Sequence, residues 1–377
     1  MTKIAWQFVK RTAPNTDLTA YVLSLNYFQG RENYLNQYAG GILNITLNNS
    51  TNIASNFVLN EQWQLYGTGL SGVQYFWVQG VTLNDYPGNT GLSTCTVQLG
   101  DILARNGRNI VTNSVIPQLQ TTSQVDYINT WNLPQQGTVI TPNLGNSTAS
   151  AITYTGSVLN YWNLCFSTER GVIGLVTDYL LMNSRNSVAD SAINFSFSRN
   201  SPSASVISYN EIERIKLNLN FYNQCTVTST GVANQTVSNA ASVALYGVNE
   251  LSVTTVDFSA SQAAGNAGWI ANSQSDPAAE YFHINVFDIP QNATALQGLF
   301  AAYNGSQSTT KKVWNLVYRV PGAGSDTTVQ VVIEGIGINA TPERTDFDIY
   351  LSPLTLYQFF TLDSTTLGIL DTSRLGW

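Results

Sequence analysis

The side chains able to do acid–base or metal chemistry are few and widely spaced. One histidine, His283, lies in "EYFHINVFDI". A metal site needs several His or Cys ligands, and a Ser-His-Asp or Cys-His set would have to be built around that single ring. Carboxylates fall in two i, i+2 pairs, Glu211/Glu213 and Asp346/Asp348. On an extended strand each pair shares one face, roughly 7 Å apart. That spacing suits the two carboxyls of a glycosidase, about 5–9 Å apart, and equally suits any solvated strand face. Cys95, Cys165 and Cys225 form no C-x-x-C pair and no even-numbered disulfide framework, so they read as small buried hydrophobes. No G-x-x-x-x-G-K-[ST] loop or nucleotide fingerprint occurs. The sequence therefore assigns no catalytic residue, no metal ligand and no cofactor site, and His283 reads as a strand-surface residue.

The elements that must carry these groups are mostly short strands. "YVLSLNYF" (21–28), "GILNITLNN" (41–49), "VQYFWVQGVTL" (73–83) and "STCTVQL" (93–99) are rich in Val, Thr and aromatics, with Gly- and Asn-rich turns between them. In the second, Leu43, Ile45 and Leu47 share the predicted core face and Ile42 and Asn44 the other. Gly40–Gly41 just before it predicts a bend or bulge. Further strands are expected at 172–185, 280–289 and 328–340. Over 210–230, period two places Ile215, Leu217, Leu219 and Phe221 on one face. In 280–289, Phe282, Ile284 and Val286 oppose His283. Short helices are predicted over 100–108, over 157–170 with Ser157 as N-cap and Gly171 as stop, and over 259–277 with Ser259 as N-cap. The polar stretch 120–150 reads as a linker or extended loop. The fold class is mainly β. Two β-barrel or sandwich, tube-like domains over 1–125 and 206–377 bracket a linker and smaller α+β segment at 126–205.

Composition narrows the partners. Of 377 residues only 10% are charged, with a net charge of -7, where about a quarter is usual. Asn, Thr, Ser and Gln take the place of charge, which avoids repulsion where many surfaces pack together. The acidic balance argues against nucleic acid as a partner, and no apolar run reaches the roughly 18 residues of a membrane span. The start "MTKIAWQFVKRTAPN" lacks the apolar core of a signal peptide. On that expectation the Asn-x-Ser/Thr triplets at Asn44, Asn146, Asn194 and Asn292 stay bare.

The stretch "NYFQGRENYLNQYAGGILNITLNN" (26–49) resembles the phage minor tail proteins of the tail-tip hub type. The resemblance rests on Gly30-Arg31, Tyr38, Ala39-Gly40-Gly41 and Ile45-Thr46-Leu47-Asn48-Asn49. It continues in "STCTVQLGDILAR" with Asp101, in "STERGVIGLVTDYLLMNSR" with Glu169 and Gly171, and in "NQCTVT" (223–228) and "SVALYGVNELSV" (242–253). It ends in Phe360, Leu362-Asp363, Leu367-Gly368, Leu370-Asp371 and Arg374-Leu375-Gly376-Trp377. One departure is "STNIASNF" after Asn49, where the family pattern carries an acidic-glycine turn and a proline.

The resemblance implies a non-enzymatic virion structural protein, assembled in the host cytoplasm into the tail tip. There it would close or adapt the end of the tail tube and hold other tip proteins. Partners so implied are further copies of itself in a homotrimer, the tail tube or distal tail ring, and tip fibre proteins. Three chains of two similar domains would continue a sixfold tube. Alternatives are a distal-tail ring protein and a carbohydrate-binding receptor protein or glycosidase. The apolar end "FFTLDSTTLGILDTSRLGW" is expected to pack against the second barrel or a neighbouring subunit.

Overall fold

The computed structural model describes residues 4–11, 15–67, 74–129, 138–140, 147–176, 179–183, 195–199, 202–216, 221–276, 280–303 and 313–357. Six strands from the first hundred residues form one wing of a sheet. They are β1 (Trp6–Lys10), β2 (Val22–Gly30), β3 (Ile42–Asn48), β4 (Gln62–Gly67), β5 (Gln74–Asn84) and β6 (Thr94–Gly100). Their spatial order is β1-β4-β5-β6-β3-β2, antiparallel throughout. Alternation sets the faces: Leu43, Ile45 and Leu47 are buried as predicted, and Cys95, Val97 and Leu99 join them from β6. Asn44, Thr46 and Thr96 lie on the opposite, polar face.

The other wing comes from late in the chain. Its strands are Val313–Tyr318, the long Thr327–Ala340, Thr345–Pro353, Tyr281–Phe287 and Glu211–Ile215, with short parallel strands Ser196–Ser198 and Val206–Ser208 at one edge. The wings join where β2 pairs antiparallel with the long strand, from Leu25↔Ala340 to Gly30↔Gly335. The result is a thirteen-stranded sheet that curls into a half-barrel. One apolar cluster runs along it, from Phe8 and Trp63 in the first wing to Trp314 and Phe347 in the second. At about 1.5–3 kcal/mol for each large side chain buried, this shared core adds to the backbone pairing that joins the wings.

The long strand changes neighbours midway. Residues 327–332 pair with Val313–Tyr318 and residues 335–340 pair with β2 on the same edge. Strand Thr345–Pro353 follows the other edge, with a register shift between Ile333 and Gly335. β2 must therefore leave the edge at Gly30, because another strand holds the positions beyond.

Helices α1 (Ile102–Arg108), α2 (Thr121–Asn129) and α3 (Val158–Glu169) build a second core. Leu103, Val125, Ile128, Trp162 and Cys165 meet there. Ser157 caps α3 as predicted, accepting from the Asn160 N–H at 3.2 Å. The stop is Arg170 in the left-handed region (φ 56°), one residue before the expected Gly171. Helix α2 occupies ground that the sequence reading gave to a linker or loop. Val125 and Ile128, three apart, bury against α3, and Gln124 accepts from the Tyr161 hydroxyl at 2.6 Å. Tertiary burial overrides the weak helix propensity of the Thr-Thr-Ser start.

A third unit stands aside from the large sheet. Strands Val232–Ser238, Gln224–Ser229 and Glu250–Thr255 form a small sheet covered by the helix Ala260–Ser273, whose Ser259 N-cap accepts from the Gln262 N–H. Cys225 and Val227 pack there against Ala263, Ala267 and Ile270. All three cysteines are free and buried, and burial pushes the Cys95 and Cys225 thiols up to about 11. The expected facing of Leu217 and Leu219, and the apolar end 359–377, lie outside the described residues.

Candidate functional site

Strand pairing brings part of the sequence's sparse chemistry together. Glu213 stands opposite His283, and Asp348 is two pairs along on the other side, where it faces Asn285. His283 Nδ1 lies 3.4 Å from Glu213 Oε2 and Nε2 lies 3.3 Å from Asp348 Oδ1. Its ring stacks on Tyr350 at 4.6 Å between centroids. Phe282, Ile284 and Val286 are buried on the core side, as the alternation predicts. Asp348 also accepts from Asn285 and Asn339, each at 2.9 Å, and Asn339 in turn accepts from Asn26 on β2. The ladder Glu213–His283–Asp348–Asn339–Asn26 thus crosses adjacent strands of the sheet. Glu211 and Asp346 do not join the histidine. Glu211 is exposed, and Asp346 pairs with Arg344 at 2.5 Å.

This geometry suits holding strands together better than moving protons. Asp348 and then Glu213 hold the His283 ring above its ordinary value, and His283 holds Asp348 below the usual carboxylate range. With Glu213 at one ring nitrogen and Asp348 at the other, His283 has no free nitrogen to act as a general base. A glycosidase acid needs a raised carboxyl pKa, whereas the Asp348 carboxyl is lowered. An open groove of about 470 Å³ adjoins the ladder, lined by Ser24, Asn26, Asn44, Thr46, Asn339 and Arg344 among others. Among the described residues no group of three or more His, Cys, Asp or Glu is placed to hold a metal ion. No helix among them is long and apolar enough to cross a membrane.

The motif residues at the start of the chain occupy the junction of the wings. Gly30 has φ +108°, and a Cβ there would sit 2.3 Å from the Glu334 carbonyl oxygen. Only glycine meets both demands. Arg31 follows, buried. Its Nε donates to Glu334 Oε2 at 2.7 Å and its Nη2 to the Tyr357 hydroxyl at 2.8 Å. Tyr357 donates to Glu334 Oε1 at 2.5 Å, and the guanidinium lies 4.8 Å from the Tyr38 ring centre. Glu334 occupies the gap where the long strand changes neighbours. Sequence reasoning missed it; the signal was an acid inside the apolar run "VVIEGIGI".

Gly40 and Gly41 do a different job from the bend expected of them. β3 starts at Ile42 and pairs regularly with β6. A Cβ on Gly40 would meet Ala104 Cα at 2.2 Å, and one on Gly41 would meet Asp101 Oδ2 at 2.4 Å. The pair lets the chain lie against the start of α1. Asp101 caps that helix through Ala104 N–H at 2.8 Å and also accepts from Gly41 N–H and the Tyr27 hydroxyl. Burial pushes its carboxyl up to about 7 against those three donors. Glu169 is likewise buried, accepting from Thr121 Oγ1 at 2.7 Å and Ser147 N–H at 3.1 Å.

Comparison with solved structures gives this architecture a context. The 43 kDa tail protein of prophage MuSo2 from Shewanella oneidensis is 11% identical, with a TM-score of 0.59 over 93% of this chain and 99% of that one. A tail protein from Neisseria meningitidis MC58 is 8% identical, with a TM-score of 0.62 over 93% and 97%. The chain shares the fold of phage tail proteins. The E. coli c3393 protein, a type VI secretion component described as structurally similar to T4 bacteriophage tail proteins gp27 and gp5, is 10% identical. Its TM-score is 0.51 over 88% of this chain and 73% of that one. No protein-family model matches the sequence and no curated protein matches it significantly.

Proposed function

We propose that this chain is a structural subunit of a phage tail tip. In this reading it is a hub-like component that closes or adapts the end of the tail tube and holds other tip proteins. It works by assembly rather than catalysis, as a homotrimer in which each chain supplies two tube-like units, about 1–125 and 206–377, with the segment 126–205 between them. Its neighbours are the tail tube or distal tail ring on one side and tip fibre proteins on the other. Assembly takes place in the host cytoplasm before the protein enters the virion.

The observation that carries the reading is a fold shared with tail proteins over almost the full length of both chains. The two-winged sheet fits it, since each wing offers a curved set of strands to a ring. The charged side chains described above are spent on fixing strands and helices, which suits a building block. Mass measurement and negative-stain imaging of the purified oligomer test the proposal. A three-chain ring with pseudo-sixfold outline supports it. A six-chain ring points to a distal-tail ring protein, and a stable monomer that binds or cleaves sugars points to a receptor-binding protein.

A further inference from the structure

The helix Ala240–Tyr246 links two strands of the third unit and turns its apolar side chains outward. Asn239 caps it, accepting from the Ser242 N–H at 3.0 Å. Its one buried residue is Ser242, whose hydroxyl donates to the Ser275 carbonyl at 2.9 Å. Ala240, Ala241, Ala244, Leu245 and Tyr246 are exposed, and Val248 continues the patch beyond the helix. Leu245 is 75% exposed, Val248 61% and Tyr246 56%. No charge occurs from Asn239 to Asn249. A surface helix ordinarily buries its apolar stripe and shows polar side chains to water. The inversion here marks a surface that something covers.

Size and position say what. Such a patch is on the order of 300–600 Å², less than the ~800 Å² that each partner gives to a stable subunit interface. It fits one short segment better than a second copy. The described chain ends at Tyr357, and contacts lead from there to the patch. The Tyr357 ring meets Tyr34 edge-on at 4.9 Å, and the Tyr34 hydroxyl accepts from Trp269 Nε1 at 2.9 Å. Trp269 lies in the helix Ala260–Ser273, and Ser275 just beyond that helix holds Ser242. Followed atom to atom, this path places the patch no more than about 40 Å from Tyr357. The thirteen residues from Tyr357 to Leu370 reach about 43–47 Å when extended. They include "STTLGIL" (364–370), which lies outside the described residues and is uncharged like the patch.

We infer that this patch is the seat of the chain's own C-terminal segment, with Leu367, Ile369 and Leu370 covering Leu245, Tyr246 and Val248. The docked segment ties the third unit to the strand Thr345–Pro353, from which it runs.

Paired cysteines in the full chain test this, because the three native thiols are buried. With Leu245→Cys and Ile369→Cys, oxidised glutathione should form a disulfide within one chain. It would be seen as a monomer-sized band on a non-reducing denaturing gel and located by peptide mapping. Leu92→Cys with Ile369→Cys, whose first partner is exposed on the first wing, should react at least tenfold more slowly. A covalent dimer through the Leu245→Cys site overturns the inference in favour of a second copy. Reaction no faster than the Leu92→Cys control also overturns it. Deleting 359–377 should raise the fluorescence of added anilinonaphthalene sulfonate, and Leu245→Ser with Tyr246→Ser should remove that rise. A folded truncated chain with the dye signal of the full chain refutes the seat, and the cysteine pair decides alone if the truncated chain does not fold.

Discussion

Arg31 and Glu334 are 303 positions apart in sequence, and their pairing ties the end of β2 to the middle of the long strand. Replacing Arg31 by Met keeps much of the side-chain volume and removes the charge. Glu334, whose side chain is 0% exposed, then keeps only the Tyr357 hydroxyl, which bonds its other oxygen. Removing one partner of a buried pair costs about 3–5 kcal/mol, because the other charge is stranded. Loss of the contacts with the Tyr34 and Tyr38 rings adds up to about 2 kcal/mol. That is a large share of a typical folding stability of about 5–15 kcal/mol. Glu334→Leu should cost a similar amount by stranding Arg31. The double replacement should cost less than either single one, because no buried charge then lacks its partner. Urea unfolding followed by tryptophan fluorescence on all four proteins gives the coupling energy. If the singles do not fold, recovery of soluble protein in the double is the readout. A coupling below about 0.5 kcal/mol would show that the pair is incidental to the junction.

Gly30→Ala should lower stability by at least about 1–3 kcal/mol from its left-handed backbone alone, with the approach to the Glu334 carbonyl adding to this; an unchanged melting temperature contradicts it. His283 has a raised folded pKa owed first to Asp348 and then to Glu213, so its stabilisation is complete below about pH 6.5 and is lost as pH rises through the folded value. Asp348 is lowered, so its share is present above about pH 3.9 and lost as pH falls through its folded value. His283→Gln should therefore cost most between about pH 4 and 6.5, while leaving assembly and infectivity near normal at neutral pH; a folded mutant that fails to infect would reveal a functional histidine. Asp101, raised to about 7 by burial, binds its proton more tightly folded than unfolded, so it costs stability as pH rises from about 4 through 7. Asp101→Asn should flatten melting temperature against pH over that range, and an unchanged slope rules the carboxyl out.

How legible the molecule is depends on how local the cause is. Period-two alternation in Leu43, Ile45 and Leu47, and in Phe282, Ile284 and Val286, is a local property and predicts the buried faces found. Capping is local too, so Ser157 and Ser259 mark their helices correctly. Helix α2 was hidden because its apolar residues gain their stability only against α3. Glu213, Asp346, Asp348 and His283 were visible as types in the sequence, yet nothing in it said that one member of each acidic pair would flank the ring. Glu334 passed as one more strand residue.

The sequence by itself determined the mainly β character, the facing of its strands and the scarcity of charge. These follow from side-chain periodicity and composition, which need no partner in space. Tertiary structure alone decided that β2 meets the long strand, that Glu334 falls in the gap where that strand exchanges neighbours, and that Gly30-Arg31 turns there. Register between strands some 300 positions apart is set by the packing of a whole core. A buried charge then finds its partner wherever that register places it.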